Sequence, residues 1–89
     1  MTDDAWKPTL ADGIKTEAVG DELILLDRSS QRVHQLDRVG ASILAYCDGT
    51  RTVDSIVAQL LQEFEVSEEQ LVDDVSALLE RMRALDILS

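Results

Sequence analysis

The chain has 89 residues, and its 45% hydrophobic and 29% charged content is typical of one globular domain with a thin core. Its formal net charge of −10 argues against nucleic acid and anionic membranes as partners, because binding to either draws on clustered Lys and Arg. The single cysteine, Cys47, excludes an internal disulfide framework and a cysteine-based metal site.

Residues 1–13 are predicted to form an N-terminal arm, followed by one domain over residues 14–88. The arm begins with polar and acidic residues, unlike a signal peptide, and no apolar run approaches a membrane span of about 20 residues. We therefore expect a cytoplasmic protein. Trp6 is the only large apolar side chain of the arm, and we expect it to dock on the domain, the alternative being an exposed contact.

Three antiparallel strands are predicted next. Gly20-Asp21 suits a two-residue hairpin turn, since glycine accepts a positive φ, and Ser29-Ser30 marks a weaker turn. The strands are predicted at residues 14–19, 23–26 and 32–36.

These turns set the pairing register. Leu25 then lies opposite both Thr16 and His34, and Asp27 faces Arg32 in a favourable charge pair. The face predicted to pack on the core consists of Ile14, Ala18, Leu23, Leu25, His34 and Leu36. The other face consists of Lys15, Glu17, Ile24, Leu26, Val33 and Gln35, and its apolar residues are only partly explained. A slip of one residue would exchange the two faces.

Three helices are predicted for the rest of the chain. The N-caps are expected to be Asp37, Thr52 and Ser67. Asp48-Gly49 ends the first helix near Cys47, because glycine favours the left-handed conformation there. Gln70 stands three residues after Ser67 and completes a capping box.

The third helix has the most regular apolar pattern. Its stripe consists of Leu71, Val75, Leu78, Met82 and Leu85. A flank beside the stripe consists of Val72, Ser76, Leu79 and Arg83. We expect this flank to line a groove next to the third strand; the alternative is that it packs on the other two helices.

No residue pattern indicates catalysis. His34 is the only histidine and has no partners at metal-ligand spacing, so we expect a packed residue bonded to backbone. Cys47 is expected to be a small core residue, because Asp48 disfavours a thiolate. The abundant carboxylates fall on predicted outer faces and helix N-termini, where solvation explains them. We expect no metal, no cofactor and no enzymatic activity.

The second and third helices have the order of a helix-turn-helix, but the outer residues of the third are mostly acidic, the wrong sign for DNA. Peptide binding remains as a function. If the third strand lies at the sheet edge, its free N–H and C=O groups can pair with an added peptide strand.

The chain also resembles a known family. The shared residues are Val33-His34-Gln35-Leu36-Asp37, Gly40, Ile43, Asp48-Gly49-Thr50, Thr52-Val53, Ile56, Leu60, Val75, Leu79, Leu85 and Ile87-Leu88, with Pro8, Leu10 and Gly13-Ile14 upstream. This set resembles the pyrroloquinoline quinone synthesis protein D (PqqD) family of precursor-peptide recognition domains. The resemblance runs from Pro8 to Leu88. Asp37 departs from the more usual Asn, although both residues cap helices.

The resemblance implies a winged-helix-like α+β fold, with a three-stranded antiparallel sheet followed by three helices. It implies that the leader segment of a ribosomally made precursor peptide adds to the third strand beside the third helix. The peptide would be presented to a modifying enzyme, typically a radical S-adenosylmethionine enzyme, or to a leader peptidase or cyclase in lasso-peptide pathways. The contact residues would be Arg32, Val33, His34, Gln35, Val72, Ser76, Leu79 and Arg83.

The resulting hypothesis is a non-enzymatic peptide chaperone. Alternatives are a winged-helix transcriptional regulator and a small adaptor that binds a partner's helix in the same groove. A monomer or a weak homodimer is expected, because an exposed edge strand can pair with itself.

Overall fold

The computed structural model describes residues 5–89, so residues 1–4 of the predicted arm lie outside the described part of the chain. The elements are β1 (Ile14–Val19), β2 (Glu22–Asp27), β3 (Arg32–Leu36), α1 (Arg38–Ala45), α2 (Val53–Leu60) and α3 (Glu68–Ala84). The predicted α+β architecture is therefore confirmed. The strand order β1-β2-β3 leaves β1 and β3 as the two edges of the sheet. None of these helices is long and apolar enough to cross a membrane.

The predicted register of the sheet is confirmed. Leu25 pairs with Thr16 on one side and His34 on the other, and Asp27 lies opposite Arg32. Gly20 has a φ of +63°, as the two-residue turn requires. The predicted core face is confirmed at Leu25 and Leu36, which are buried, whereas Ala18 of the same face is exposed because it lies near the end of an edge strand.

Asp27 closes the loop between β2 and β3. Its buried carboxylate accepts hydrogen bonds from the hydroxyl groups of Ser29 and Ser30, each at 2.8 Å, and from their backbone N–H groups. Hydrogen bonds from Ser30 and then Ser29 hold the pKa of this carboxyl below its ordinary value. Asp27 lies opposite Arg32, as predicted. Its hydrogen bonds, however, come from Ser29 and Ser30 of the adjoining loop.

Each helix begins at its predicted N-cap. Asp37 accepts from the N–H of Gly40 at 2.9 Å, and Thr52 and Ser67 make the equivalent bonds at 3.2 and 3.1 Å. α1 ends at Ala45, two residues before the predicted end near Cys47. Gly49 has the expected left-handed conformation, with a φ of +83°.

The core is aliphatic and lies between the sheet and the helices. α3 contributes a buried row made of Leu71, Val75, Leu79 and Met82. The centre of this row differs from the predicted stripe, because Leu79 is 1% exposed whereas Leu78 and Leu85 are only half-buried. Both rows are apolar at helical spacing, so only packing against the rest of the core selects between them.

Cys47 is a core residue, as predicted. Its side chain is 4% exposed, and the thiol donates to the carbonyl oxygen of Ile43 at 3.3 Å. Burial, with a smaller contribution from the charge of Asp48, raises the pKa of the thiol to about 12. Cys47 is therefore a neutral thiol at physiological pH rather than a nucleophile.

The arm packs against the C-terminal residues. Thr9 and Ser89 exchange backbone hydrogen bonds of 3.2 and 2.9 Å, and Ala11 donates to the carbonyl of Ile87 at 2.9 Å. The predicted docking of Trp6 is confirmed: its Nε1 donates to the carbonyl of Ser89 at 3.0 Å, and the Arg83 guanidinium stacks 4.5 Å from the ring centroid. The two ends of the described chain thus stabilise each other.

Candidate functional site

The hydrogen-bonding pattern of the sheet follows from its first turn. A two-residue turn makes Val19 and Glu22 a hydrogen-bonded pair, and such pairs recur at every second residue. The bond from the Arg28 N–H to the Gly13 carbonyl, 3.3 Å long, continues this series beyond the strand. The even-numbered residues of β2 therefore bond to β1, and its odd-numbered residues bond to β3.

The same alternation defines the free edge of β3. Arg32, His34 and Leu36 lie opposite the odd-numbered residues of β2, so their backbone groups point into the sheet. Val33 and Gln35 consequently direct their N–H and C=O groups outward, where no strand pairs with them within residues 5–89. An added strand can form two hydrogen-bonded pairs here.

A cavity of about 500 Å³ lies beside the C-terminal half of this edge. It is lined by Gln35, Leu36, Asp37, Val39, Gly40, Ile43, Asp74, Ala77, Leu78 and Arg81. We call it the β3 groove. Leu36 and Ile43 are buried beneath it and Leu78 is half-buried, whereas Asp74 and Arg81 are exposed. The β3 groove therefore combines an apolar floor with a charged rim of both signs.

Gly40 sets the distance between α1 and β3 at the floor of the β3 groove. A Cβ atom at this position would stand 3.1 Å from the Cβ of Leu36, closer than ordinary van der Waals contact. The Gly40 N–H is also the donor to the Asp37 cap. Glycine at this position thus lets the helix start lie directly against the edge strand.

The predicted strand residues all lie at or beside the open edge. Arg32, Val33 and Gln35 are exposed, and the exposed fraction of Val33 is 63%. His34 is half-buried on the core face. The Gln35 amide donates to Glu22 across the outer face at 2.7 Å. Peptide contact at these four residues stays a prediction.

The four predicted helix residues lie away from the β3 groove. Leu79 is buried in the core, Arg83 stacks on Trp6, and Val72 and Ser76 occupy the same side of α3 as Arg83. With 3.6 residues per turn, this side is the opposite flank of the buried row from the one that lines the β3 groove. The apolar stripe of α3 has two flanks, and the one beside β3 is not the predicted one.

The residues that sequence reasoning missed are those of α3 in the β3 groove. They are Asp74, Ala77, Leu78 and Arg81. One feature of the sequence indicates these residues. A small residue, Ala77, stands next to Leu78, at a position where a groove needs space. The apolar pattern alone predicts Leu78 in the core stripe, although its half-buried side chain reaches the groove.

The groups that the site offers are suited to binding an extended chain. Within residues 5–89, no group of three or more His, Cys, Asp or Glu side chains is placed to hold a metal ion. What the site offers is free backbone donors and acceptors next to an apolar groove, which can take an extended chain.

Three solved structures resemble the fold. TbiB1 in complex with the TbiA(beta) leader peptide is 21% identical, with a TM-score of 0.82 over 91% of this chain and 94% of that chain. Lasso peptide synthetase B1 complexed with the leader peptide is 20% identical, with a TM-score of 0.83 over 94% of this chain and 99% of that chain. The heterocyclase TruD is 22% identical, with a TM-score of 0.64.

The match to TruD covers 93% of this chain but 11% of that chain, so the shared fold is a small part of the heterocyclase. At these identities the likenesses show the fold alone. Among curated proteins, none matches the sequence.

The match to a family model shows which protein family this chain belongs to. The model described as coenzyme PQQ synthesis protein D (PqqD) matches residues 22–88, which include β2, β3 and all three helices. The matched part contains the open strand edge and both helices that line the β3 groove. The chain therefore belongs to the coenzyme PQQ synthesis protein D family.

Proposed function

We propose that this protein binds the leader segment of a ribosomally synthesised precursor peptide and presents it to a modifying enzyme, without catalysing a reaction itself. The observation that carries the proposal is the free edge of β3 at Val33 and Gln35, directly beside the β3 groove. Two structures of the same fold, TbiB1 and lasso peptide synthetase B1, are complexes with leader peptides.

The leader adds to the sheet as a fourth strand. Its backbone pairs with Val33 and Gln35, which supplies affinity that depends little on sequence. Side chains that alternate along the strand then face either the outer surface of the sheet or the core side. Those on the core side near Leu36 enter the β3 groove and meet Leu78, which supplies selectivity.

The charged rim of the β3 groove restricts which side chains of the leader peptide enter the groove. Asp74 and Arg81 both line the groove and both are exposed. The other exposed charged residues along α3 are mainly acidic, which disfavours a DNA-binding role for this helix. The partner enzyme is one that acts on precursor peptides, such as a radical S-adenosylmethionine enzyme or a leader peptidase with a cyclase, and we place the encounter in the cytoplasm.

Backbone amide shift mapping tests the proposal. The full-length protein is titrated with the leader of the precursor peptide encoded beside its gene. We expect the largest shifts at residues 31–36 and at the α3 residues of the β3 groove. Shifts confined to other surfaces, or the absence of any shift at millimolar peptide, would overturn strand addition to β3.

A further inference from the structure

β1 forms a second open edge, on the far side of the sheet from β3. Its residues from Lys15 to Val19 are all exposed, and within the described chain β1 pairs with β2 alone. Because Lys15, Glu17 and Val19 bond to β2, the backbone groups of Thr16 and Ala18 point outward. The Ile14 N–H also points outward but donates to the carbonyl of Ala11 at 3.4 Å, so Ile14 offers its carbonyl.

The core side of this edge is incompletely filled. A cavity of about 490 Å³ lies against β1, α1 and the arm. Its lining residues are Thr9, Leu10, Thr16, Leu23, Ala41, Leu44, Ala45, Cys47 and Asp48. Two alanines of α1 face it, so the side chains of an added strand have room on this side of the sheet.

The outer face of β1 carries a charge pattern that complements itself. Lys15 and Glu17 stand two residues apart on the same face. In an antiparallel pair of β1 strands related by a two-fold axis at Thr16, Lys15 lies opposite Glu17 of the second copy, and the reverse pair forms by symmetry. Opposite charges in directly facing positions stabilise a sheet.

The core face agrees with the same register. Thr16 meets Thr16 of the second copy, and Ile14 meets Ala18 of the second copy. The outward backbone groups then form four hydrogen bonds: two between the Thr16 residues and two from Ala18 N–H groups to Ile14 carbonyls. This register uses the free groups of β1 apart from the Ala18 carbonyl and leaves the Ile14–Ala11 bond in place.

Other registers fit less well. An axis at Glu17 places two Glu17 side chains directly opposite each other, which is destabilising. An axis at Ala18 leaves Glu17 opposite Val19. The register centred on Thr16 pairs both charges of the strand.

We propose that two copies of this chain associate through β1, about a two-fold axis at Thr16, to form a continuous six-stranded sheet. Such an isologous contact is closed, so it gives dimers rather than fibres. The two β3 edges lie at the outer ends of this sheet, and both β3 grooves remain open. One strand pair is smaller than the interfaces of stable complexes, and each chain has a net charge of −10, so the association is weak.

Charge reversal at β1 tests the proposal. Sedimentation velocity is measured over a concentration series up to about 1 mM for the wild type, K15E, E17K and an equimolar mixture of the two variants. We expect each single variant to weaken association roughly tenfold, because it places like charges at both symmetric pairs. The mixture should recover the wild-type association, since opposite charges then face each other again.

Matched controls separate the contact from net charge. K7E and E80K make the same charge changes at exposed positions outside β1. E17K makes the chain less negative, so a general charge effect would strengthen its association, as in E80K, whereas the proposal expects weakening. Thr16→Pro should abolish the dimer, and Val33→Pro should not affect it.

Three results with the wild type and the charge variants would overturn the proposal. They are a wild type that stays monomeric throughout the series, an E17K variant that associates as strongly as E80K, and a mixture no stronger than its components. A dimer lost in Val33→Pro but kept in Thr16→Pro would assign the contact to β3 and equally overturn it.

Discussion

Val33 combines a free backbone N–H and an exposed side chain at the open edge of β3. Its N–H points away from β2, so the intact sheet does not use it. Proline is tolerated at such an edge position because no ladder bond is lost. The N–H of Thr16 on β1 likewise points away from β2, so proline there also removes no ladder bond. The two edge positions can therefore be compared directly.

Val33→Pro is therefore expected to weaken leader binding about tenfold, through the loss of one donor and the altered edge. Isothermal titration with the leader peptide measures the effect. Thr16→Pro is the control and should bind as the wild type does, at concentrations where the protein is monomeric. Equal affinities for all three proteins, each folded by circular dichroism, would count against β3 as the binding edge.

Gly40 shows how one small residue positions the site. Its close approach to Leu36 joins the start of α1 to the edge strand, and its N–H is fixed by Asp37. The floor of the β3 groove is thus built from the strand and the first turn of the following helix. Three adjacent segments of the chain supply the edge, the cap and the floor.

At the scale of elements, α3 supports the core with one row of side chains and the β3 groove with a neighbouring flank. Leu79 belongs to the row and Leu78 to the flank, one residue and about 100° apart. Val72 lies on the other flank and is 40% exposed. These two residues allow the two flanks to be compared directly.

Leu78→Ala is expected to weaken leader binding roughly tenfold, because the peptide loses apolar contact in the β3 groove. The protein should remain folded, since the half-buried side chain contributes about 1–2 kcal/mol to stability. Val72→Ala should leave affinity unchanged. If Val72→Ala weakened binding and Leu78→Ala did not, the peptide would lie on the opposite flank of α3. Fluorescence anisotropy with a labelled leader peptide distinguishes these outcomes.

At the scale of the whole molecule, Asp27 links stability to pH. Hydrogen bonds from Ser30 and Ser29 lower its pKa in the folded protein relative to the unfolded chain. Ionised Asp27 therefore stabilises the fold above the unfolded pKa of about 3.9, and this contribution is lost as the pH falls through the folded value. Asp48 behaves in the same direction, since hydrogen bonds from Thr50 lower its pKa.

Asp27→Asn is expected to unfold at lower urea concentration than the wild type near pH 6, because the amide replaces one acceptor oxygen with a donor. The difference should shrink as the pH falls below the unfolded pKa of about 3.9 and Asp27 of the wild type becomes protonated. Urea unfolding curves across this range measure it. A difference that is constant with pH would show that the carboxylate charge at Asp27 contributes nothing.

Much of this molecule follows from short-range sequence. Asp37, Thr52 and Ser67 cap helices because each side chain reaches the N–H three residues ahead. Gly20 sets the first turn, and that turn fixes the register of two strands and even which backbone groups of β3 are free. These features depend on neighbours along the chain, so a local pattern is enough to predict them.

Local sequence does not predict which flank of α3 faces β3. Leu78 and Leu79 both fit an apolar stripe at helical spacing, and no neighbour in sequence distinguishes them. Packing of Leu79 into the shared core orients α3 so that Leu78 and Arg81 face the β3 groove, and Arg83, on the other side of the helix, stacks on Trp6. The free edge of β3 can thus be located from local sequence, whereas the helix surface beside it is set by contacts between residues far apart in the chain.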